Sequence, residues 1–311
     1  MQKPRRIAPG DTLGFVAASS TLADPALLPR AISAAEAMGY KVALGDSCTA
    51  KYGYLAGDDA LRAGDLMRMF EREDVDAVTL IRGGYGLPRI LDRLDYDLIR
   101  QSRKMVLGYS DVTGLHLALA ARGLATIHGP MPTGWGEPDF APFSRQSLLM
   151  CLNDRQMGVP LQNPEGVPVT CFHPGRAEGR LIGGNLTLMV SLLGTKYMPD
   201  LTSAILLIED VDERLYRIDR MLTQLRLAGA FDACAGVVLG TFTRCAAEYP
   251  DRSLTYDQVI RDVVLPCNKP IISGLMIGHC QPKLTLGLGI RYFLDADRGE
   301  LTPLESPFAD A

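Results

Sequence analysis

The stretch Lys-Met-Val-Leu-Gly-Tyr-Ser-Asp-Val-Thr-Gly-Leu-His, residues 104–116, carries the most suggestive chemistry in the chain. Residues 105–107 are a short apolar run, the end of a buried strand, and Gly108 permits a sharp turn. From Val112 onward, Leu115, Ala118 and Leu119 recur at helical spacing. Ser110 is therefore expected at a strand-to-helix turn, where the N–H groups of the first turn favour negative charge. A serine so placed can attack a carbonyl carbon while the amide of the next residue, Asp111, holds the oxyanion that forms. By local sequence alone, Ser110-Asp111 is first of all an ordinary helix start, because both residue types cap helices. A nucleophile needs more: a base, a group that orients the base, and a second oxyanion donor.

Candidates for those parts lie at other strand ends. Arg82-Gly83-Gly84-Tyr85-Gly86 follows an apolar run at 76–81, and its paired glycines allow close backbone approach to a ligand. If that strand neighbours the one ending at Gly108, Gly84 can offer an amide to the same oxyanion, with Gly83 almost as well placed. Arg82 could hold a substrate carboxylate or serve as a structural ion-pair partner. Arg82 and Tyr85 are the candidate substrate-binding residues. Glu209 directly follows the apolar run 204–208 and is expected to be less exposed than Asp212 or Glu213, although an acidic run is also a simple helix start. His279 sits between Gly278 and Cys280 on a loop after the apolar run 270–277. That makes it a better base than His116, on a helix, or His173, in a connecting segment.

The elements that must position these residues follow the βαβ pattern of a parallel sheet. Strands are expected at 13–18, 41–44, 76–81, 105–107 and 126–130, with helices at 25–38, after Asp58, after Pro88 and from Val112. Residues 131–174 are rich in proline, hold the lone Trp135 and one short helix at 142–152, and read as a connection between domains. The back half offers strands at 204–208, 236–241 and 270–277, helices running to Leu193 and over 214–227, and two final antiparallel strands at 284–289 and 291–295. The expected organisation is α/β: a flavodoxin- or amidotransferase-like parallel-sheet domain over residues 1–155, carrying the serine, and a mixed α/β domain over 156–311, carrying Glu209 and His279.

Composition excludes several functions. With 311 residues and a net charge of -4, the chain has no basic footprint for nucleic acid. No apolar run is long enough for a membrane span, and residues 13–18 are too short and too late for a signal sequence, so a cytoplasmic location is expected. Seven cysteines, odd in number and without a C-x-x-C pair, fit a reducing compartment. The four histidines show no zinc-ligand spacing, and neither metal nor cofactor is expected.

Taken in order, Arg82-Gly83-Gly84-Tyr85-Gly86, Gly108-Tyr109-Ser110-Asp111-Val112-Thr113, residues 179–186, Ile208-Glu209-Asp210-Val211 and Gly278-His279-Cys280 resemble the LD-carboxypeptidases, serine peptidases of the muramoyltetrapeptide carboxypeptidase type. The resemblance spans nearly the whole chain, and its G-Y-S-D-x-T element differs from the G-x-S-x-G elbow of α/β hydrolases. It implies a triad of Ser110 as nucleophile, His279 as general base and Glu209 as orienting carboxylate, with an oxyanion hole from the amides of Gly84 and Asp111. It further implies a cleft between two domains, a homodimer, and release of terminal D-Ala from a cytoplasmic murein tetrapeptide during peptidoglycan recycling. One alternative is a relative of the microcin C self-immunity peptidase, which cleaves aminoacyl or peptidyl sulfamoyl adenylates and needs an aromatic platform for the adenine. Another is a non-catalytic, two-domain small-molecule binding protein of the periplasmic kind, against which the absent export signal argues.

Overall fold

A computed structural model describes residues 1–137 and 140–310; residues 138 and 139, inside the proline-rich connection, and residue 311 lie outside the described residues. Thirteen strands are described: β1 Thr12–Val16, β2 Lys41–Leu44, β3 Ala77–Leu80, β4 Met105–Gly108, β5 Thr126–His128, β6 Thr170–His173, β7 Arg176–Asn185, β8 Ile205–Val211, β9 Gly236–Thr243, β10 Ile271–Ser273, β11 Leu286–Leu288, β12 Arg291–Asp295 and β13 Glu300–Pro303. They form two sheets, of six strands in the order β11-β5-β4-β3-β1-β2 and seven in the order β13-β12-β7-β8-β9-β10-β6.

In the first sheet, β2, β1, β3, β4 and β5 are parallel, in the flavodoxin order 2-1-3-4-5. Strands β3 and β4 are buried along their whole length, as interior strands covered on both faces must be. The second sheet is mixed: β7, β8, β9 and β10 are parallel, and β12, β13 and β6 add antiparallel edges. The α/β class and the parallel front sheet agree with the sequence. Residues 286–288 belong by position to the back half and by pairing to the front sheet, where β11 runs antiparallel to β5.

One apolar core joins the sheets. Val112, Leu115 and Leu119 of the helix after Ser110 share a cluster with Ile182, Leu186, Met189, Leu206 and Ile208. Alternation along β8 sorts its side chains: Leu206 and Ile208 face that shared core, and Ile205 and Leu207 face a second cluster with Leu275 and Ile277. Continuing the alternation puts Glu209 on the face of the 275–277 loop and Asp210 on the helix face.

Two strand ends differ from expectation in ways that matter for the site. Strand β8 continues through Glu209 and Asp210 to Val211, so the first two acids of the run are strand; Asp212 and Glu213 lie beyond its end, and the helix begins at Leu215. Strand β10 ends at Ser273 instead of reaching Ile277, because Gly274 takes a left-handed φ of 96° and turns the chain out of the ladder. Helices at Leu27–Ala37, Asp59–Glu71 and Pro142–Leu152 lie where the periodicity puts them, and Asp58 caps the second by accepting from the Leu61 amide. Trp135 is buried, its ring edge-on to Phe15 at 6.3 Å and its indole N–H donating to the Pro130 carbonyl.

Candidate active site

Ser110 stands just beyond β4. Gly108 closes the strand, and a Cβ there would come within 2.8 Å of the Val112 side chain, so the turn requires glycine. Tyr109 is extended, and Ser110 then adopts φ 66°, a left-handed conformation costly for a residue with a Cβ. Such strain is retained where the surroundings over-determine it, and here it aims the hydroxyl out of the sheet edge.

Ser110 Oγ lies 2.9 Å from His279 Nε2, and His279 Nδ1 lies 2.7 Å from Glu209 Oε2. The carboxylate can only accept, so Nδ1 carries the proton and donates it, leaving Nε2 to accept from the serine hydroxyl. Residues 110, 209 and 279, distant in sequence, thus form one hydrogen-bonded chain across the two sheets. Glu209 is fully buried. Gly278, at φ 109°, makes this possible, since a Cβ there would sit 2.3 Å from Glu209 Oε2.

The acidic neighbours act differently. Asp111 is buried and accepts from Ser19 Oγ at 2.5 Å and the Leu87 amide at 2.8 Å, tying the turns after β1 and β3 to the Ser110 turn. Burial pushes its carboxyl up to about 6. Asp210, buried on the other face of β8, accepts from Asn185 Nδ2 at 2.9 Å and from the amide and hydroxyl of Thr187 at 3.0 and 2.9 Å. Burial raises its carboxyl too. Asn185 also caps the helix Leu186–Leu192 through the Leu188 amide. None of these clamps was singled out from the sequence, although Asp111, in a recognised helix start, and Asn185, immediately before an apolar helical run, both carried capping signals.

The glycine loop after β3 runs against the serine turn. A Cβ on Gly83 would lie 2.8 Å from Ser110 Oγ and 3.4 Å from the Asp111 amide nitrogen, whereas one on Gly84, at φ 107°, would strike Ser20. Arg82 donates from Nη1 to the Thr21 carbonyl at 2.6 Å, and among the described residues no carboxylate lies within ion-pairing distance of it. Tyr85 is half-exposed, 6.1 Å ring-to-ring from Tyr54, and its amide donates to Ser20 Oγ. Arg82, Gly83, Gly84, Ser110 and His279 all line one cavity of about 530 Å³, with Asp212 and Arg244 on its second-sheet side. Tyr85 is outside that lining.

Behind His279, the Tyr109 ring packs at 4.9 Å, and the buried Lys283 donates to the Tyr109 hydroxyl at 2.9 Å. The other histidines are elsewhere. His116 is buried, donates from Nε2 to the Gly108 carbonyl at 3.0 Å, and is pushed down to about 4 by burial; His128 is buried with no hydrogen-bond partner at either nitrogen among the described residues and is held well below its usual range. His173 sits at the end of β6, against the Pro174 carbonyl. Among the described residues, no three His, Cys, Asp or Glu side chains are grouped to hold a metal ion, and no helix is long and apolar enough to cross a membrane.

Comparison with known proteins matches residues 13–129 to the LD-carboxypeptidase N-terminal domain and residues 178–294 to the LD-carboxypeptidase C-terminal domain. The probable murein peptide carboxypeptidase of Bacillus subtilis is 38% identical over 291 residues, covering 93% of this chain and 90% of that protein. The murein tetrapeptide carboxypeptidase of Pseudomonas aeruginosa is 33% identical over 279 residues, covering 86% and 87%. Among solved structures, the microcin C7 self-immunity protein MccF, in an inactive mutant apo state, superposes with a TM-score of 0.92 at 25% identity, covering 99% of this chain and all of that one.

Proposed function

The chain belongs to the LD-carboxypeptidase family, and from that premise we propose that it is a metal-independent serine carboxypeptidase that releases terminal D-Ala from a murein tetrapeptide by hydrolysing the L,D bond. The observation that carries this reading is the continuous bond chain Ser110–His279–Glu209 opening into the cavity. His279 takes the Ser110 proton as Oγ attacks the carbonyl carbon, and Glu209 holds the imidazole tautomer and stabilises the imidazolium. The amides of Gly84 and Asp111 are the oxyanion donors, with Gly83 letting the loop lie flat against Ser110. His279 then passes the proton to the departing D-Ala amine. Water, activated by the same imidazole, hydrolyses the acyl-enzyme and restores Ser110.

A carboxypeptidase must recognise a free carboxylate, and Arg82 supplies a half-buried guanidinium in the cavity with, among the described residues, no protein carboxylate on it. Tyr85 borders the same loop as an outer contact. The setting of this reaction is murein-peptide recycling in the cytoplasm, and the assembly is a homodimer. The direct test is incubation with murein tetrapeptide, wild type beside Ser110→Ala: D-Ala appears with wild type alone. Equal release by the variant removes Ser110 from the mechanism. A single monomeric species in sedimentation velocity overturns the dimer.

The likeness to MccF supports a second reading, cleavage of aminoacyl sulfamoyl adenosine. That ligand needs an aromatic face for its base, and Trp135 is committed to the core. A higher kcat/KM for an aminoacyl sulfamoyl adenosine than for tetrapeptide would put this reading first.

A further inference from the structure

The helix Asp59–Glu71 turns one arginine inward. Arg62 is fully buried, and burying a guanidinium is costly enough that stability alone favours an apolar side chain in such a place. Its Nη2 pairs with Asp59, which Arg89 grips from outside through Nε and Nη2 at 3.0 Å each. Its Nη1 donates to two backbone carbonyls, Ala18 at 2.6 Å and Gly86 at 2.8 Å. Ala18 lies in the turn after β1, and Gly86 ends the glycine loop after β3. A Cβ on Gly86, at φ 139°, would lie 2.8 Å from Nη1, so the guanidinium fills the space a side chain would need.

Asp111 completes the arrangement with the opposite charge. Arg62 takes the Gly86 carbonyl and Asp111 the Leu87 amide N–H, and these two groups belong to one peptide unit. In the turn after β1, Arg62 takes the Ala18 carbonyl and Asp111 the Ser19 hydroxyl. A buried cation and a buried carboxylate thus hold consecutive groups of both loops. Ser20 fastens the middle of the glycine loop: its amide donates to the Gly83 carbonyl at 3.4 Å, and its Oγ accepts from the Tyr85 amide at 3.1 Å. The Gly84 amide between them donates to no acceptor among the described residues, and Gly84 lines the cavity beside Ser110.

From this arrangement we infer that Arg62 is a positioning residue for the reaction: it sets the glycine loop so that the Gly84 amide is aimed at the oxyanion before any substrate arrives. The inference rests on the serine-peptidase reading above, with Gly84 as an oxyanion donor. Glycines at 83, 84 and 86, two of them at positive φ, give the loop a backbone with many accessible conformations. A donor that must find its orientation during the reaction loses much of its effect, whereas one fixed during folding costs nothing at that moment. Arg62 does not line the cavity, so its influence passes through the loop and not through contact with the substrate.

The test labels Ser110 with diisopropyl fluorophosphate, whose phosphoryl oxygen calls on the same donors, in wild type, Arg62→Lys and Arg62→Gln. The labelling rate constant is expected to fall about tenfold in Arg62→Lys, which keeps the charge but loses the fork, and about a hundredfold in Arg62→Gln, near the loss of one oxyanion donor. The kcat for D-Ala release from murein tetrapeptide falls by the same factors with KM little changed. In a Ser110→Ala background, calorimetry gives the same tetrapeptide affinity with and without Arg62→Lys. If Arg62 only supports the fold, its variants lower the amplitude of labelling, because fewer molecules are folded, and leave the rate constant at the wild-type value. That result overturns the inference, as does a loss of tetrapeptide affinity that accounts for the loss of rate. Should neither Arg62 variant fold, Asp59→Asn decides, since it loosens Nη2 from the partly exposed end: a rate constant about threefold below wild type supports the inference, and the wild-type rate overturns it. Wild type that is labelled at Ser110 yet releases no D-Ala defeats the carboxypeptidase reading alone, and the labelling rates still decide the role of Arg62.

Discussion

In the first sheet Ser110 stands beside Asp111; in the second, Glu209 stands beside Asp210. Each pair couples a residue that joins the His279 hydrogen-bond chain with a buried carboxylate that ties neighbouring backbone together. The settings differ. Ser110 is held on a left-handed turn outside the ladder, and its clamp gathers loops from three strand ends. Glu209 is held inside a strand, and its clamp secures the start of the Leu186–Leu192 helix. A hydroxyl that must meet a substrate needs an exit from the sheet. A carboxylate that must only face an imidazole is better held by the ladder, where strand alternation sends the two adjacent acids to opposite faces.

This contrast assigns chemistry to one member of each pair and stability to the other, and substitutions can break it. The largest effect is expected from Glu209→Gln, which keeps shape but loses the carboxylate facing Nδ1. The kcat for D-Ala release should fall by about 10⁴-fold with the melting temperature little changed. A comparable loss of stability would show that Glu209 is structural. Asp210→Ala should do the reverse. It strands the buried Asn185 amide and the partly buried donors of Thr187, and chemical denaturation should show a loss of about 3–5 kcal/mol. A stability equal to wild type would dissolve the clamp.

The front clamp is read by pH. Burial lifts the Asp111 carboxyl from its ordinary 3.8 to about 6, so between those values the folded state binds more protons than the unfolded chain. Its contribution is therefore most favourable below 3.8 and is lost as pH rises towards 6. Asp111→Asn removes that dependence. The stability of the variant minus that of wild type should rise by about 3 kcal/mol from about pH 4 to about pH 7 in denaturant titrations. A flat difference would place Asp111 in an ordinary carboxylate environment. Gly278→Ala sharpens the comparison with a smaller effect. A Cβ beside Glu209 Oε2 displaces the carboxylate from His279, and kcat should fall about a hundredfold with KM little moved. Unchanged kcat would mean that the loop yields freely.

Much of this was legible in the sequence. The apolar run, Gly108 and the helical spacing after Val112 put Ser110 at a strand-to-helix turn. Glu209, next to Ile208, was expected to be less exposed than Asp212 or Glu213, and its burial follows suit. His279 was expected on a glycine- and proline-flanked loop, where it lies. What escaped depends on partners far along the chain. An acidic run has the composition of a helix start, and only the ladder with β7 and β9 makes strand of Glu209 and Asp210. Gly274, which ends β10 early, is one glycine among many until its φ is known. The Arg82 alternatives of substrate contact and structural ion pair could not be separated without its surroundings, in which a backbone carbonyl takes Nη1. The Asp212–Arg244 pair is 32 positions apart and exists only because β8 and β9 stop together.

Strand β11 completes the first sheet from near the far end of the chain, pairing residues 286–288 with residues 126–128. During synthesis, β5 must wait with one edge open while more than half of the protein emerges from the ribosome. Unpaired edges invite other strands, so this interval is when a newborn chain is most exposed to mispairing. The late strand also works as a latch. Once it is seated, the serine-bearing and histidine-bearing halves can part only by tearing a sheet, which confines any breathing of the cleft to its loops.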